Sequence, residues 1–279
     1  MKIPLVLRQL LHRRIVLVAA IVLLIIAVFA IGAPWLALAD PSDTAVLDRL
    51  KGPSAAHWMG TDELGRDLYA RIVHGARYSL AIAALTALGS IVAGTFLGLV
   101  AGFFRKLDAP LMRVVDAMMS FPDILLAIAL VAILGPTLFN VVLALVLVYT
   151  PRVARVVRAS TLVVRELLFI EAARALGVRT SRILWRHVLP NLLSPILVQA
   201  SFIFAYAILA EAGLSFLGVG VPPEIPTWGT MIAGSQQYAH NAFWVVLFPG
   251  LAIIFTALSL QLLGDGVRDL LDPKLKKAA

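Results

Sequence analysis

Glu166–Asn191 reads ELLFIEAARALGVRTSRILWRHVLPN. From Arg165 to Leu176 the pattern is helical, with Leu168, Ala172, Ala175 and Leu176 recurring on one face. Gly177 can take the positive φ that ends such a helix. Thr180 or Ser181 then caps a second short helix running through Trp185, and Pro190 opens the apolar run that follows. The stretch is too polar to cross a bilayer, yet long apolar runs flank it. It therefore reads as a helix–turn–helix elbow at a membrane surface. Ala172 and Ala173 lie beside Glu171, so a partner surface can come close to a charge. A solvated amphipathic connection is the plainer alternative.

Outward from the elbow, apolar runs dominate. Of 279 residues, 61% are hydrophobic and 14% charged, against about 45–50% and about 25% for soluble domains. A membrane helix needs roughly 20 apolar residues. Ile15–Ala39, Tyr78–Phe104, Val188–Ala210 (continuing past Glu211 to Leu217) and the apolar part of Ile225–Gly264 from Phe243 onward supply four spans. Ile124–Pro151 is also uncharged, but Gly135-Pro136 marks a turn inside it. It is read as two spans in a tight hairpin. One begins near Val114 and carries Asp116 and Asp123; the other runs from Leu138 past Pro151 towards Arg158. The total is six. Ala37-Leu38-Ala39 resembles a signal cleavage site, but a signal peptide's apolar region has only about 7–15 residues, so the first run is expected to remain as an anchor.

The charge pattern gives the orientation. The net charge is +8, from 24 Lys and Arg. Nineteen of them fall before the first span, in the loop 105–113, in the all-Arg stretch 152–186 and in the tail. These segments share one side only if the chain crosses twice around Gly135-Pro136. By the positive-inside rule that side is cytoplasmic, which puts both termini in the cytoplasm and Asp40–Arg77 outside. The basic excess thus reports topology. No basic stripe interleaved with aromatics suggests nucleic acid.

Chemistry-bearing patterns are few. No Lys follows a Gly, so the phosphate loop G-x-x-x-x-G-K-[ST] is missing. The five His show no ligand spacing and Cys is absent, so no metal or cofactor is expected on this chain. No catalytic Ser/His/Asp set can be assigned, and an enzyme is not expected. Ser90, Gly94, Gly98 and Gly102 recur four residues apart and form a smooth face for close helix approach. Asp123 and Glu211 lie inside expected spans, next to Pro122 and near Gly213. Intramembrane carboxylates hint at function, though an interior hydrogen bond or an ion pair with an Arg near a helix end is the favoured reading. Asp62, Glu63, Arg66 and Asp67 begin a segment in which Leu64, Leu68, Ile72 and Val73 recur at near-helical spacing. A short helix on the outer membrane face is expected there, leading into the second span at Tyr78. Its charges either bond one another, which is favoured, or meet a partner.

At the elbow the sequence resembles a known family. Glu171-Ala172-Ala173, three residues, Gly177, and then Leu189-Pro190 resemble the EAA loop of ABC importer permeases, with His187 departing from the hydrophobic residue expected two places before Leu189. Three stretches resemble the C-type permeases of dipeptide, oligopeptide and nickel importers: His57–Asp67, Glu211–Gly218, and Gly264–Asp269 with Leu271-Asp272-Pro273. The resemblance covers roughly residues 10–273 and implies an all-α polytopic membrane protein with six transmembrane helices and a cytoplasmic coupling loop, the type I importer permease fold. It divides the chain into an anchor and external segment (1–77), a five-helix core (78–268) with the coupling loop at 159–190, and a cytoplasmic tail (269–279). It also implies a bacterial inner-membrane location, a second homologous permease chain, two ATPase subunits that hold ATP-Mg and dock on the loops, and an extracytoplasmic substrate-binding protein. Peptide is the expected cargo, with a nickel chelate, glutathione or opine as alternatives. A stand-alone secondary transporter is disfavoured, because no internal repeat places Asp123 and Glu211 at matching positions.

Overall fold

The computed structural model describes residues 14–37 and 39–271. Three parts of the sequence reading lie outside them: the basic residues before Arg14, Leu38 of the cleavage-like site, and the tail beyond Leu271 with Asp272-Pro273.

Ten α-helices make up the described chain: α1 (Arg14–Leu36), α2 (Leu68–Phe103), α3 (Arg105–Met119), α4 (Asp123–Leu134), α5 (Leu138–Val164), α6 (Leu168–Ala175), α7 (Thr180–Ile183), α8 (Leu189–Phe216), α9 (Trp228–Ser235) and α10 (Trp244–Leu271). Five helical stretches are long and apolar enough to cross a membrane, and the bent pair α3–α4 is a sixth where the two count as one span.

The small-residue face of α2 sets the packing. A Cβ on Gly94 would stand 2.4 Å from Cβ of Val153, one on Gly98 2.6 Å from the Ala154 carbonyl oxygen, and one on Gly102 2.6 Å from Cβ of Thr161. The Ser90 hydroxyl donates to the Val146 carbonyl at 3.3 Å. Without side chains on that stripe, α2 lies directly on the backbone of α5, as the four-residue spacing suggests. The partners climb together, from 90 against 146 to 102 against 161, so α2 and α5 run parallel. Residues 104–137 must therefore carry the chain back across.

That return path departs from the expected helix starting near Val114. α3 and α4 meet at 93°. Pro122 disfavours helical geometry at Phe121 and has no N–H to donate, and the helix breaks at this point. Asp116 is on α3, and Asp123 begins α4. The hairpin at Gly135-Pro136 forms as expected. Gly135 has φ +90°, and Asn140 Nδ2 donates to the carbonyls of Leu134 (2.6 Å) and Gly135 (3.1 Å).

α8 packs against α2, α5 and α10, and α1 covers α2 and α10. Two further expectations are corrected. α2 runs unbroken from Leu68 through Tyr78 to Phe103, so no separate helix lies on the membrane, and the division placed between 77 and 78 falls inside it. Nor does Pro190 open a new helix. α7 passes through a π turn at Leu184–Val188 directly into α8, giving one 37-residue helix, Thr180–Phe216. The wider turn makes room for Pro190, which lacks an N–H, while Asn191 Nδ2 donates to the His187 carbonyl at 2.6 Å.

Candidate coupling loop and charged clusters

The elbow has one anchored face and one free face. Ile170 is fully buried and Ala173 nearly so, while Leu168 and Leu176 are more than four-fifths exposed. Glu171 and Ala172 are exposed beside them, Leu189 is half-buried and Pro190 exposed. α6 ends in a Schellman motif, with Gly177 N–H donating to the Arg174 carbonyl at 2.9 Å and Val178 N–H to the Ala173 carbonyl at 3.0 Å. Gly177 has φ +72°, and a Cβ added to it would meet no atom within 4 Å. Its requirement is conformational, not steric. The expected Thr180 or Ser181 cap is not made: Arg179 holds that position without a side-chain bond. Arg174 lies 4.9 Å over the Phe103 ring, and Arg165 Nη1 donates to the Gly102 carbonyl at 2.6 Å. These contacts fix the elbow to the end of α2.

At the opposite end of α2, Asp62, Glu63, Arg66 and Asp67 do come together. Residues 61–67 form a tight loop closed by a bridge between Thr61 and Asp67. Asp62 Oδ1 accepts from the backbone N–H of Leu64 (2.9 Å) and Arg66 (3.0 Å); Oδ2 takes Arg66 Nε at 2.6 Å and faces Arg71 Nε at 3.4 Å. Arg66 Nη2 donates to Glu63 Oε1 at 2.9 Å. Asp67 caps α2 by accepting from Ala70 N–H at 2.8 Å and bonds His57 Nδ1 at 2.9 Å. Asp62 and Arg71 are nearly inaccessible. The charges bond one another within the loop. Arg71 was missed; its signal was an Arg close after the three acids Asp62, Glu63 and Asp67.

The two intramembrane carboxylates separate. Glu211 is 1% exposed, and hydroxyls hold it: Oε1 accepts hydrogen bonds from Thr227 (2.7 Å) and Ser215 (2.9 Å). Thr227 also caps α9 through a capping box with Thr230. A Cβ on Gly229 would be 3.0 Å from Glu211 Oε1, so only glycine lets α9 approach this carboxyl. Asp123 instead faces Arg152 Nη2 at 3.4 Å, an Arg in the middle of α5 and not near a helix end as expected. Two further pairs extend the row, Asp116–Arg155 at 2.6 Å and Asp108–Arg158 with Nη2–Oδ2 at 2.7 Å. The sequence reading assigned these Arg residues to topology; their three-residue spacing on an apolar helix was the available signal. Among the described residues no group of His, Cys, Asp or Glu could hold a metal.

Known proteins share this architecture. Residues 90–277 match the family model of the binding-protein-dependent transport system inner membrane component, and residues 4–53 match that of the N-terminal TM domain of oligopeptide transport permease C. A dipeptide transport system permease protein of Alkalihalophilus pseudofirmus is 45% identical, covering 96% of this chain and 89% of its own. A di/tripeptide transport system permease protein of Pseudomonas aeruginosa is 44% identical over 96% and 91%, and a glutathione transport system permease protein of Pectobacterium atrosepticum is 43% identical over 96% and 90%. In fold, the chain is similar to one from the MetNI methionine ABC transporter in an inward-facing conformation (TM-score 0.60, 21% identity, covering 72% of this chain and 97% of that one). With its parallel α2–α5 pair and its two-faced elbow, the chain belongs to the family of binding-protein-dependent transport system inner membrane components and has the type I ABC importer permease fold.

Proposed function

We propose that this permease subunit carries di- or oligopeptides into a bacterial cell through the inner membrane, with both termini cytoplasmic. It forms half of the pathway beside a second homologous permease chain. Two ATPase subunits, which hold ATP-Mg, dock on the elbows of the two permeases, and an extracytoplasmic binding protein delivers the cargo. The chain itself performs no catalysis; its sequence has a docking loop and no phosphate loop. The peptide assignment is supported by relatives named for dipeptide and di/tripeptide transport. Glutathione, in the name of another relative, is the nearest competing cargo, and mass spectrometry of ligand retained by the co-expressed binding protein distinguishes them.

The observation that carries the coupling role is the elbow's two faces. Ile170 and Ala173 hold α6 down while Leu168, Glu171, Ala172 and Leu176 stand clear. An exposed apolar pair around a carboxylate, fixed to a helix as long as Thr180–Phe216, is a lever with a contact pad. Gly177 tests it. Leaving the right-handed region costs about 1–2 kcal/mol for most residues, and asparagine tolerates it better. Gly177→Val is expected to reduce both substrate-stimulated ATP hydrolysis and uptake of the purified complex at least fivefold, and Gly177→Asn to retain most of both. Full stimulated hydrolysis and uptake in Gly177→Val would mean that the elbow is an ordinary solvated connection.

A further inference from the structure

The Asp123–Arg152 pair sits on the surface of the helical bundle, far from the ends of the spans. At ~1.5 Å per residue, Asp123 lies about 17 Å along α4 from the Gly135-Pro136 turn, and Arg152 about 21 Å along α5 from the same turn. Tyr206 lies about 15 Å from the corresponding end of α8. Against a hydrocarbon core ~30 Å thick, these groups are near mid-depth or somewhat beyond it. Yet the Asp123 side chain is 50% exposed and that of Arg152 38%. A half-exposed ion pair at that depth does not face lipid; charged groups inside membrane segments face the bundle interior or a water-filled cavity.

A cavity of about 220 Å³ opens beside the pair, lined by Asp123, Tyr149, Tyr206 and apolar side chains that include Ala127 and Leu209; Arg152 is outside its lining and meets it through Tyr206. Arg152 stacks on the Tyr206 ring at 5.1 Å from its centroid, and Tyr149 Oη lies 3.5 Å from the Tyr206 carbonyl. Towards the elbow, the row continues through the Asp116–Arg155 and Asp108–Arg158 pairs. Three carboxylates therefore oppose three guanidiniums, and the track carries both signs without net charge. A zwitterion exposes both signs too. Such a wall can exchange its internal pairs for pairs with a passing ammonium and carboxylate, whereas a wall of one sign would trap one end.

We propose that Asp123, Arg152, Tyr149 and Tyr206 form a station on the wall of the aqueous translocation path, where Arg152 receives the carboxylate and Asp123 the ammonium of a peptide in transit. This rests on the peptide reading above.

The test uses the reconstituted full complex in liposomes with its binding protein. This chain has no Cys, so an introduced thiol is the single one on this subunit, and labelling is read on its separated band. Leu209→Cys, in the cavity wall, is expected to react with a water-soluble cationic thiosulfonate at least tenfold faster than Leu24→Cys, which is 64% exposed on the outer face of α1. Dialanine delivered by the binding protein should slow the reaction at Leu209→Cys. In parallel, Arg152→Gln is expected to lower dialanine imported per ATP hydrolysed at least tenfold, and Arg152→Lys to recover most of it. A purely structural pair would lower uptake and hydrolysis in proportion and leave that ratio unchanged, which would overturn the proposal. Equal labelling at 209 and 24 would also overturn it, since the face would then be covered by protein or lipid. If the wild-type complex hydrolyses ATP but imports no dialanine, the peptide reading fails and the station's role toward peptides fails with it. Labelling at Leu209→Cys still decides whether this face lines the path.

Discussion

At the scale of single residues, glycine does two different jobs in this chain. Gly177 is needed for its positive φ, in open space. Gly94, Gly98 and Gly102 have ordinary helical backbone and are needed because α5 occupies the place of a side chain. Gly250 in α10 meets nothing within 4 Å and serves as a control. A methyl group on Gly98 would collide with both the Ala154 carbonyl (2.6 Å) and Cβ of Val157 (2.7 Å), atoms fixed to a helix backbone that cannot swing aside. Overpacking of this kind costs about 1–3 kcal/mol. Gly98→Ala is therefore expected to lower the thermal unfolding temperature of the detergent-solubilised complex by several degrees. Gly250→Ala should leave it unchanged or raise it slightly, since alanine favours a helix by up to about 1 kcal/mol. Equal melting of the two variants would show that the α2–α5 contact is looser than its distances indicate. This stripe was fully legible in the sequence, because the four-residue period of small residues has one physical use on an apolar helix.

At the scale of elements, what the sequence hid was continuity. Pro122 and Pro190 look alike in one dimension. Pro122 breaks its helix at 93°; Pro190 does not break its own, because the π turn before it absorbs the missing hydrogen bond. No local residue signal separates the two outcomes, which are set by what packs on each side. The partner of Glu211 was equally invisible, since Thr227 comes from a different helix cap 16 residues on. Glu211 joins the end of α8 to the start of α9, and its acceptor oxygen is what the two hydroxyls need. Glu211→Gln keeps a carbonyl in that position and is expected to preserve both the melting temperature within about two degrees and the uptake rate. Glu211→Leu removes the acceptor of the buried Thr227 and Ser215 hydroxyls, at about 1–3 kcal/mol for a buried unsatisfied group, and should melt clearly earlier. Loss of transport in Glu211→Gln with unchanged melting would instead assign the carboxyl a role in transport itself.

At the scale of the whole molecule, the spans were legible from hydropathy and the elbow from its motif, but the fate of residues 104–137 was not. α4 has only 12 residues, about 18 Å at ~1.5 Å each, too short to cross alone. Hydropathy by itself leaves open whether α3 and α4 together cross or dip in and return. The packing of α2 on α5 decides between these. Because the two helices run parallel, the Phe103 and Val164 ends lie on one side and the Leu68 and Leu138 ends on the other, so α3 and α4 together make a crossing. The segment before Leu68 and the elbow after Val164 must then lie on opposite faces of the membrane. Ser54 and Thr180 are both exposed within those segments. In intact cells, Ser54→Cys is expected to react with a membrane-impermeant thiol reagent, and Thr180→Cys only after the membrane is opened. Labelling of both from outside, or of neither, would mean an even number of crossings between them and would overturn the parallel arrangement. Labelling of Thr180→Cys alone would keep that arrangement but invert the chain, placing the Arg-rich side outside against the positive-inside rule and leaving the elbow on the wrong face to meet a cytoplasmic ATPase.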